Sequence, residues 1–314
     1  MIVQACQHEE TKKHGRDCKG NQRFRCKACG QTWIEKQDSG YGNLRITNRE
    51  AATVLGMLLE GMSVRSTERL TGFHRDTICD LVLRVGENCD RLMDSIRDVQ
   101  AKDVQVDEIW SFVGCKEKTR QSRGYSDDLG DSWTFLGIDR DTKLVLAYEI
   151  GDRDHDTTVT FLHKLNRATA GRFQLSTDGL STYTNNVPFT FGNRVDFAQL
   201  IKNYQSTQSQ TRYSPATIIS AKPKAVYGNP DWEKVCTSHI ESFNQKYRMA
   251  LRRFTRLTNA HSKSLDHHKA MQAIYLCYYN WCRVHETIKQ TPAVASGLSE
   301  KVWTIRELLE RAAA

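Results

Sequence analysis

The sequence predicts a multidomain chain: a zinc-ribbon-like amino-terminal segment, an all-α helix-turn-helix, then an α/β core with a mixed five-stranded sheet and carboxy-terminal helices. Three observations carry this. Cys26-Lys-Ala-Cys29-Gly30 presents two thiols across a tight turn. Thr47-Asn-Arg-Glu50 and Thr71-Gly72-Phe73 read as a helix start and a helix-joining turn. From Val104 to Ile201, β-branched and aromatic runs recur with strand-like alternation.

The totals fit that division. A chain of 314 residues accommodates two or three modest domains. With 39% apolar and 26% charged residues, its composition is that of a soluble globular protein. No apolar run approaches the ~20 residues that span a bilayer, and the start lacks the apolar centre of a signal peptide. A cytosolic protein with no membrane partner is expected. The net charge of +8 is unevenly placed. Lys and Arg outnumber Asp and Glu by 8 to 4 over residues 1–36 and by 7 to 2 over 236–269, but balance at 17 each over 101–235. Ten cysteines in a cytosolic chain should be reduced thiols or metal ligands. Cys79, Cys89, Cys115, Cys236, Cys277 and Cys282 lack ligand spacing and fit core positions.

Residues 1–40 form the first unit. The CxxC needs a second pair, and Cys6-Gln-His8 is the best one. Cys6, His8, Cys26 and Cys29 would make a tetrahedral site for structural Zn2+, with His14 and Cys18 as competitors. A segment this short and this polar needs a metal to fold. Arg16, Lys19, Arg23, Arg25 and Lys27 lie between the pairs and would face phosphates. A solvated basic face is the plainer alternative.

Residues 41–100 form the second unit. Helices are expected over about 48–60, 64–71 and 74–92, with Ser63 capping the second and Gly72 turning into the third. Helix, glycine turn, helix is the DNA-reading pattern, with the last helix as reader. Arg75, Asp76, Asp80 and Arg84 would be its exposed residues. A generic three-helix bundle is the alternative, and the basic segment before it favours DNA.

Residues 101–290 form the core. Strands are expected at 104–113, 133–139 and 143–150 as an antiparallel meander, then a helix over 157–169 capped by Asp156 or a neighbour. Strands at 173–177 and 195–201 follow, joined by a helix-poor link. This order resembles an RNase H-like α/β core. The polar stretch at about 203–235 reads as a long insertion. Asp107 stands mid-strand among apolar neighbours, which is costly for a carboxylate unless it is hydrogen-bonded or metal-bound. Asp178 ends a strand, where a turn role would be ordinary. Glu108 should point to the opposite sheet face and is set aside as a ligand. The Asp152, Asp154 and Asp156 run reads as helix capping.

Residues 236–256 carry the third acid. Ile240, Phe243, Tyr247, Leu251 and Phe254 form one apolar stripe of a helix. Glu241, Gln245, Arg248 and Arg252 fall on a neighbouring stripe. One carboxylate beside a row of cations suits a place where metal and phosphate meet. A long helix over 264–285 follows, and Thr291-Pro292 opens a tail helix within 291–314.

These residues resemble a known family. Asp107 in Val-Asp-Glu-Ile-Trp, Asp178 in Ser-Thr-Asp-Gly and Glu241 in Ser-His-Ile-Glu-Ser-Phe-Asn are similar to the acids of DDE transposases. Gln22–Trp33, Leu251–Arg256 and Tyr279–His285 with Thr291-Pro292 resemble phrases of IS-one-type bacterial insertion-sequence transposases. The first metal pair departs from that pattern, with Cys-x-His in place of CxxC. The resemblance implies an enzyme that binds the terminal inverted repeats of an insertion element and performs metal-dependent strand cleavage and transfer. It implies catalytic Asp107, Asp178 and Glu241 holding two Mg2+ (or Mn2+) ions. Arg248, Lys246, Arg252 and Arg253 would grip double-stranded DNA. It further implies a homo-oligomer on DNA, in the bacterial nucleoid. Two alternatives stand: a catalytically inert DNA-binding regulator derived from such an enzyme, and an RNase H-like nuclease that cuts without joining.

Overall fold

The structure, a computed structural model, describes residues 6, 8, 10–16, 22–34, 44–204, 218–255 and 259–313. Cys18, Lys19, Arg256 and the stretch 205–217 of the expected insertion lie outside the described residues.

The amino-terminal segment holds three short antiparallel strands in sequence order, β1 (Thr11–Arg16), β2 (Gln22–Cys26) and β3 (Thr32–Ile34). Alternation puts Phe24 and Cys26 on one face of β2, and Phe24 stacks on Trp33 across the strand pair at 6.3 Å. Three helices follow, α1 (Asn48–Leu59), α2 (Val64–Thr71) and α3 (Arg75–Asp94). Both halves of the Thr47–Glu50 capping box form, and Ser63 accepts from the Ser66 amide at the start of α2. Gly72 ends α2 at φ 76°, a left-handed conformation that costs glycine nothing.

The core is a mixed α/β structure around one six-stranded sheet. Its strands are β4 (Asp103–Val113), β5 (Gly130–Asp139), β6 (Val145–Gly151), β7 (Phe173–Thr177), β8 (Val195–Tyr204) and β9 (Ile218–Tyr227), in the order β6-β5-β4-β7-β8-β9. The pairs β4–β7 and β7–β8 are parallel and the others antiparallel. The sheet therefore has six strands, not the five expected. The sixth, β9, was concealed within the polar insertion: Lys222, Pro223 and Lys224 are exposed, as suits a free edge where proline and lysine discourage further pairing.

Helices cover the sheet: α4 (Glu117–Arg123), α5 (His155–Ala168), α6 (Ser181–Phe191), α7 (Ser238–Ala250), α8 (Leu265–Cys277), α9 (Pro292–Ala295) and α10 (Ile305–Ala312). The link expected to be helix-poor is α6. Its Pro188 and run of Ser, Thr and Asn weaken the helix signal, yet Tyr183, Val187 and Phe191 are buried at four-residue spacing. Asp154, not Asp156, caps α5. The long helix expected over 264–285 is instead α8 continued by a π-helical turn, Tyr278–Cys282. That turn aims buried Asn280 at the edge of β6. Asn280 Oδ1 accepts from the Val145 N–H at 3.0 Å, and Nδ2 donates to its carbonyl at 2.9 Å. The side-chain amide thus pairs with the strand as another strand would.

One buried apolar cluster runs from Ile46 to Ala312, so α1–α3 share a core with the sheet's helical cover. The closest approach is α3 on α8, where a Cβ built on Gly86 would stand 2.3 Å from Ala270 Cβ. Trp303, just before α10, stacks on Trp281 at 5.5 Å and closes the carboxy-terminal end. Gly86→Ala is expected to lower stability by about 1–3 kcal/mol through overpacking of the α3–α8 contact, read as a fall in the urea midpoint.

Candidate active site

The site is built on alternate positions of β4. Residues 105, 107 and 111 share one face of that strand, under α7 and α8. Gln105 Oε1 accepts the amides of His239 (3.0 Å) and Ile240 (3.1 Å), supplying the cap that α7 lacks from its own N-cap Thr237. Ser111 Oγ meets His268 Nε2 at 3.0 Å, and His268 Nδ1 meets Ser262 Oγ at 2.8 Å. Burial pushes His268 down to about 3, so its ring is neutral in this network. Between these contacts Ile240, Phe243 and Tyr247 of α7 are buried, with Leu251 and Phe254 beyond, as the stripe in the sequence requires. Tyr247 OH donates to Gln272 Oε1 at 2.8 Å, fixing α7 to α8.

Parallel pairing sets the acids side by side. Gln105 is opposite Ser176 and Val106 opposite Thr177, so the next residues along are Asp107 and Asp178. One carboxylate oxygen each from Asp107, Glu108 and Asp178 lies within 4.8 Å of the other two. Asp107 Oδ1 accepts the Glu108 amide at 2.9 Å, and Oδ2 accepts Asn244 Nδ2 of α7 at 2.8 Å. Burial first, then the charges of Asp178 and Glu241, push the Asp107 carboxyl up to about 6. Asp178 Oδ1 accepts the Leu180 amide at 2.9 Å, and Gln199 Nε2 donates to the Asp178 carbonyl at 3.1 Å.

Glu108 corrects the expectation that strand alternation removes it from the cluster. It does face away, toward α6. Asp178 lies just past the end of β7, where a carboxylate can be approached from both faces. Tyr183 OH donates to Glu108 Oε1, while Arg153 Nε and Nη2 donate to Oε2 at 3.2 and 3.0 Å. Burial first, then Asp178, raises Glu108 to about 7.

Glu241 lies on the same side of the sheet but outside that cluster. Its Oε1 accepts from Lys202 Nζ of β8 and from Thr237 Oγ1. Its charge still reaches Asp107. Of the cations expected beside it, Lys246 and Arg248 are half-buried and Arg252 is exposed. Arg248 Nη1 lies 3.4 Å from the Trp110 carbonyl oxygen. Arg253 turns inward instead of joining the row, donating to the His267 carbonyl at 2.8 Å and Ser262 Oγ at 3.2 Å. Burial lowers its guanidinium to about 10. Arg75 and Arg84 are exposed on α3, and Arg75 pairs with Asp76 at 3.2 Å.

A second cluster lies in the amino-terminal segment. Cys6, His8, Cys26 and Cys29 each offer a ligand atom within 4.8 Å of the others. His14 is exposed on β1, apart from them. The Cys29 amide donates to Cys26 Sγ at 3.5 Å, and this contact leads in lowering the Cys26 thiol to about 6. On β2, Arg25 is exposed and Arg23 half-buried.

Sequence reasoning missed Gln105, Asn244, Arg153, Tyr183 and Lys202. Asn244 alone left a signal: it follows Glu241 by three positions and so shares a helix face with it.

No protein-family model and no curated protein matches this chain. Among solved structures, it is similar to the cryo-EM structure of a piggyBac transposase synaptic complex with hairpin DNA. The identity is 8%, the match covers 90% of this chain and 71% of that one, and the TM-score is 0.40. A likeness at that level says nothing about chemistry. Among the described residues, no helix is long and apolar enough to cross a membrane.

The raised carboxyls have a signed consequence. Asp107 and Glu108 bind protons more tightly folded than unfolded, so their contribution is full below about pH 4 and is lost as pH rises through about 6 and 7. These two carboxyls should therefore favour the metal-free fold less as pH rises from 4 to 7.5, opposed over that range by His268, whose lowered imidazole favours the fold as pH rises. Asp107→Asn should flatten part of that slope and stabilise the metal-free fold at pH 7.5 by on the order of 1–2 kcal/mol, read by urea titration at both pH values.

Proposed function

We propose that this protein is a DNA transposase of the DDE type, cleaving and joining phosphodiester strands at the ends of a mobile element. The observation that supports it most is the Asp107 carboxylate, half-buried mid-strand and set beside Asp178 under a helix that carries Glu241. The donor set fits a hard divalent cation, being all oxygen. Asn244 Oδ1, beside Asp107, is buried with no hydrogen-bond partner among the described residues, which fits a polar site still to be completed. In this reading Asp107, Asp178 and Glu241 hold two Mg2+ or Mn2+ ions. When bound, such ions activate a water or hydroxyl oxygen and balance charge at phosphorus.

The chain's own residues bind and orient. With a metal bound, Glu241 would turn from Lys202 to help hold it, and Lys202 would be left to bind a phosphate. Arg248 and Lys246 on α7 and Arg252 just past its end grip the backbone, with Arg75 and Arg84 on the helix-turn-helix and Arg23 and Arg25 on the first sheet. Cys6, His8, Cys26 and Cys29, three thiols and an imidazole, fit structural Zn2+. The domain scheme in this reading is 1–40, 41–100, an RNase H-like core over 101–290 and a tail from 291. Bringing two element ends together calls for a homo-oligomer on double-stranded DNA.

One observation favours a rival. Glu241 is held by Lys202, apart from the Asp107 and Asp178 pair, as it would be in an inert DNA-binding regulator. Cleavage of a DNA carrying the element's ends, with Mg2+, separates the two. Asp107→Asn, Asp178→Asn and Glu241→Gln are each expected to lower the cleavage rate at least about a hundredfold, in line with removal of transition-state charge stabilisation. Wild-type activity in any one of them removes that residue from the site, and no cleavage by the parent protein supports the regulator. Transfer of cut ends into a target plasmid distinguishes a transposase from a nuclease. Stripping the thiol-bound metal should weaken DNA binding about tenfold or more at 0.1 M salt, measured by anisotropy, while the core keeps its urea midpoint.

A further inference from the structure

Arg153 stands in the loop between β6 and α5, within the acidic run Asp152–Asp156. Its guanidinium lies over the Trp133 ring, 4.8 Å from the centroid. From there it donates twice to Glu108 Oε2 and once to Asp178 Oδ2, at 3.4 Å. The Glu108 side chain is only 1% exposed. A carboxylate so enclosed needs a counter-charge, and Arg153 provides it. Glu108 in turn fixes the guanidinium, so that the second N–H of Nη2 reaches Asp178. Tyr183 occupies the other Glu108 oxygen, leaving neither oxygen free of a donor. The Leu180 amide holds the other oxygen of Asp178.

We propose that Glu108 and Arg153 act as one charge-balanced clamp that positions Asp178 against Asp107, and that Glu108 is not itself a metal ligand. The role rests on the reading above that Asp107 and Asp178 hold a metal. The clamp's geometry does not, since it is complete within the chain. Each half needs the other. Without Glu108, Arg153 becomes an uncompensated cation beside the metal-binding pair. Without Arg153, Glu108 becomes a buried, unpaired carboxylate and Asp178 loses one of its two anchors.

The test uses the full chain and two measurements. In metal-free protein, amide exchange at Leu180 should quicken about tenfold in Arg153→Gln, and less in Arg153→Lys, which keeps the charge but loses the fork. Titration with Mn2+ alone should show binding weakened about tenfold or more in Arg153→Gln. Glu108→Gln/Arg153→Gln should bind no more weakly than Arg153→Gln, because a unit broken once cannot be broken again. Unchanged exchange at Leu180, or Mn2+ binding in Arg153→Gln as tight as in the parent, overturns the clamp. So does loss of binding in Glu108→Gln with Arg153→Gln unaffected, which would make Glu108 a ligand. Asp107→Asn is the separate control: if it leaves Mn2+ binding intact, the metal reading of Asp107 falls and exchange alone decides the clamp. Should Arg153→Gln not fold, Arg153→Lys carries both measurements with smaller changes in the same direction.

Discussion

A carboxylate half-buried in the central strand of a sheet needs partners, and the partners of Asp107 organise this molecule. On the strand itself the Glu108 amide donates to it, and from above Asn244 of α7 does so. The Asn244 contact exists only because α7 crosses β4 at a fixed height. Gln105 sets that height by capping the helix two residues before Asp107, and Ser111 and His268 tie down α8 four residues after it. Parallel pairing with β7 then brings Asp178 alongside. Two carboxylates and a third acid nearby are held against their mutual repulsion and out of full solvation, which shows as tighter proton binding by Asp107 and Glu108.

The rest of the chain supports that arrangement from outside. α8 is braced on one side by α3, at backbone distance across Gly86 and Ala270. At its end the π-helical turn lets Asn280 dock on β6. The three helices α1–α3 therefore do not hang from the core as a separate bead. The last of them, α3, packs on α8, the helix that holds α7 in place.

Much of this was legible in the sequence, for physical reasons that differ by element. The stripe of five apolar positions at a 3.6-residue period is buried as read, although the helix itself ends at Ala250 and Leu251 and Phe254 lie just past it. Capping and glycine chemistry placed α1–α3 within about two residues. The Cys6, His8, Cys26 and Cys29 quartet follows from ligand spacing, and its atoms converge. Asp107 drew notice because an acid on an apolar strand needs a reason. β9 was hidden because an edge strand is written in lysine and proline, and α6 because tertiary burial overrode weak propensity. Arg153 was hidden because its partners lie 45 and 25 residues away, inside an acidic run that capping already explained. Contacts of that range leave no local trace. Glu108 was discounted by a sound alternation rule that fails only where Asp178 passes the end of its strand.

In the proposed function Asp107 and Asp178 together form a cation site, with Glu241 available to it. Anomalous diffraction from crystals of the full chain grown with Mn2+ tests this most directly. The expected result is an anomalous peak between the Asp107 and Asp178 carboxylates, with Glu241 turned from Lys202 toward it and Glu108 still bound by Arg153. An ordered site with both carboxylates free of metal, while Mn2+ sits elsewhere on the protein, would contradict it.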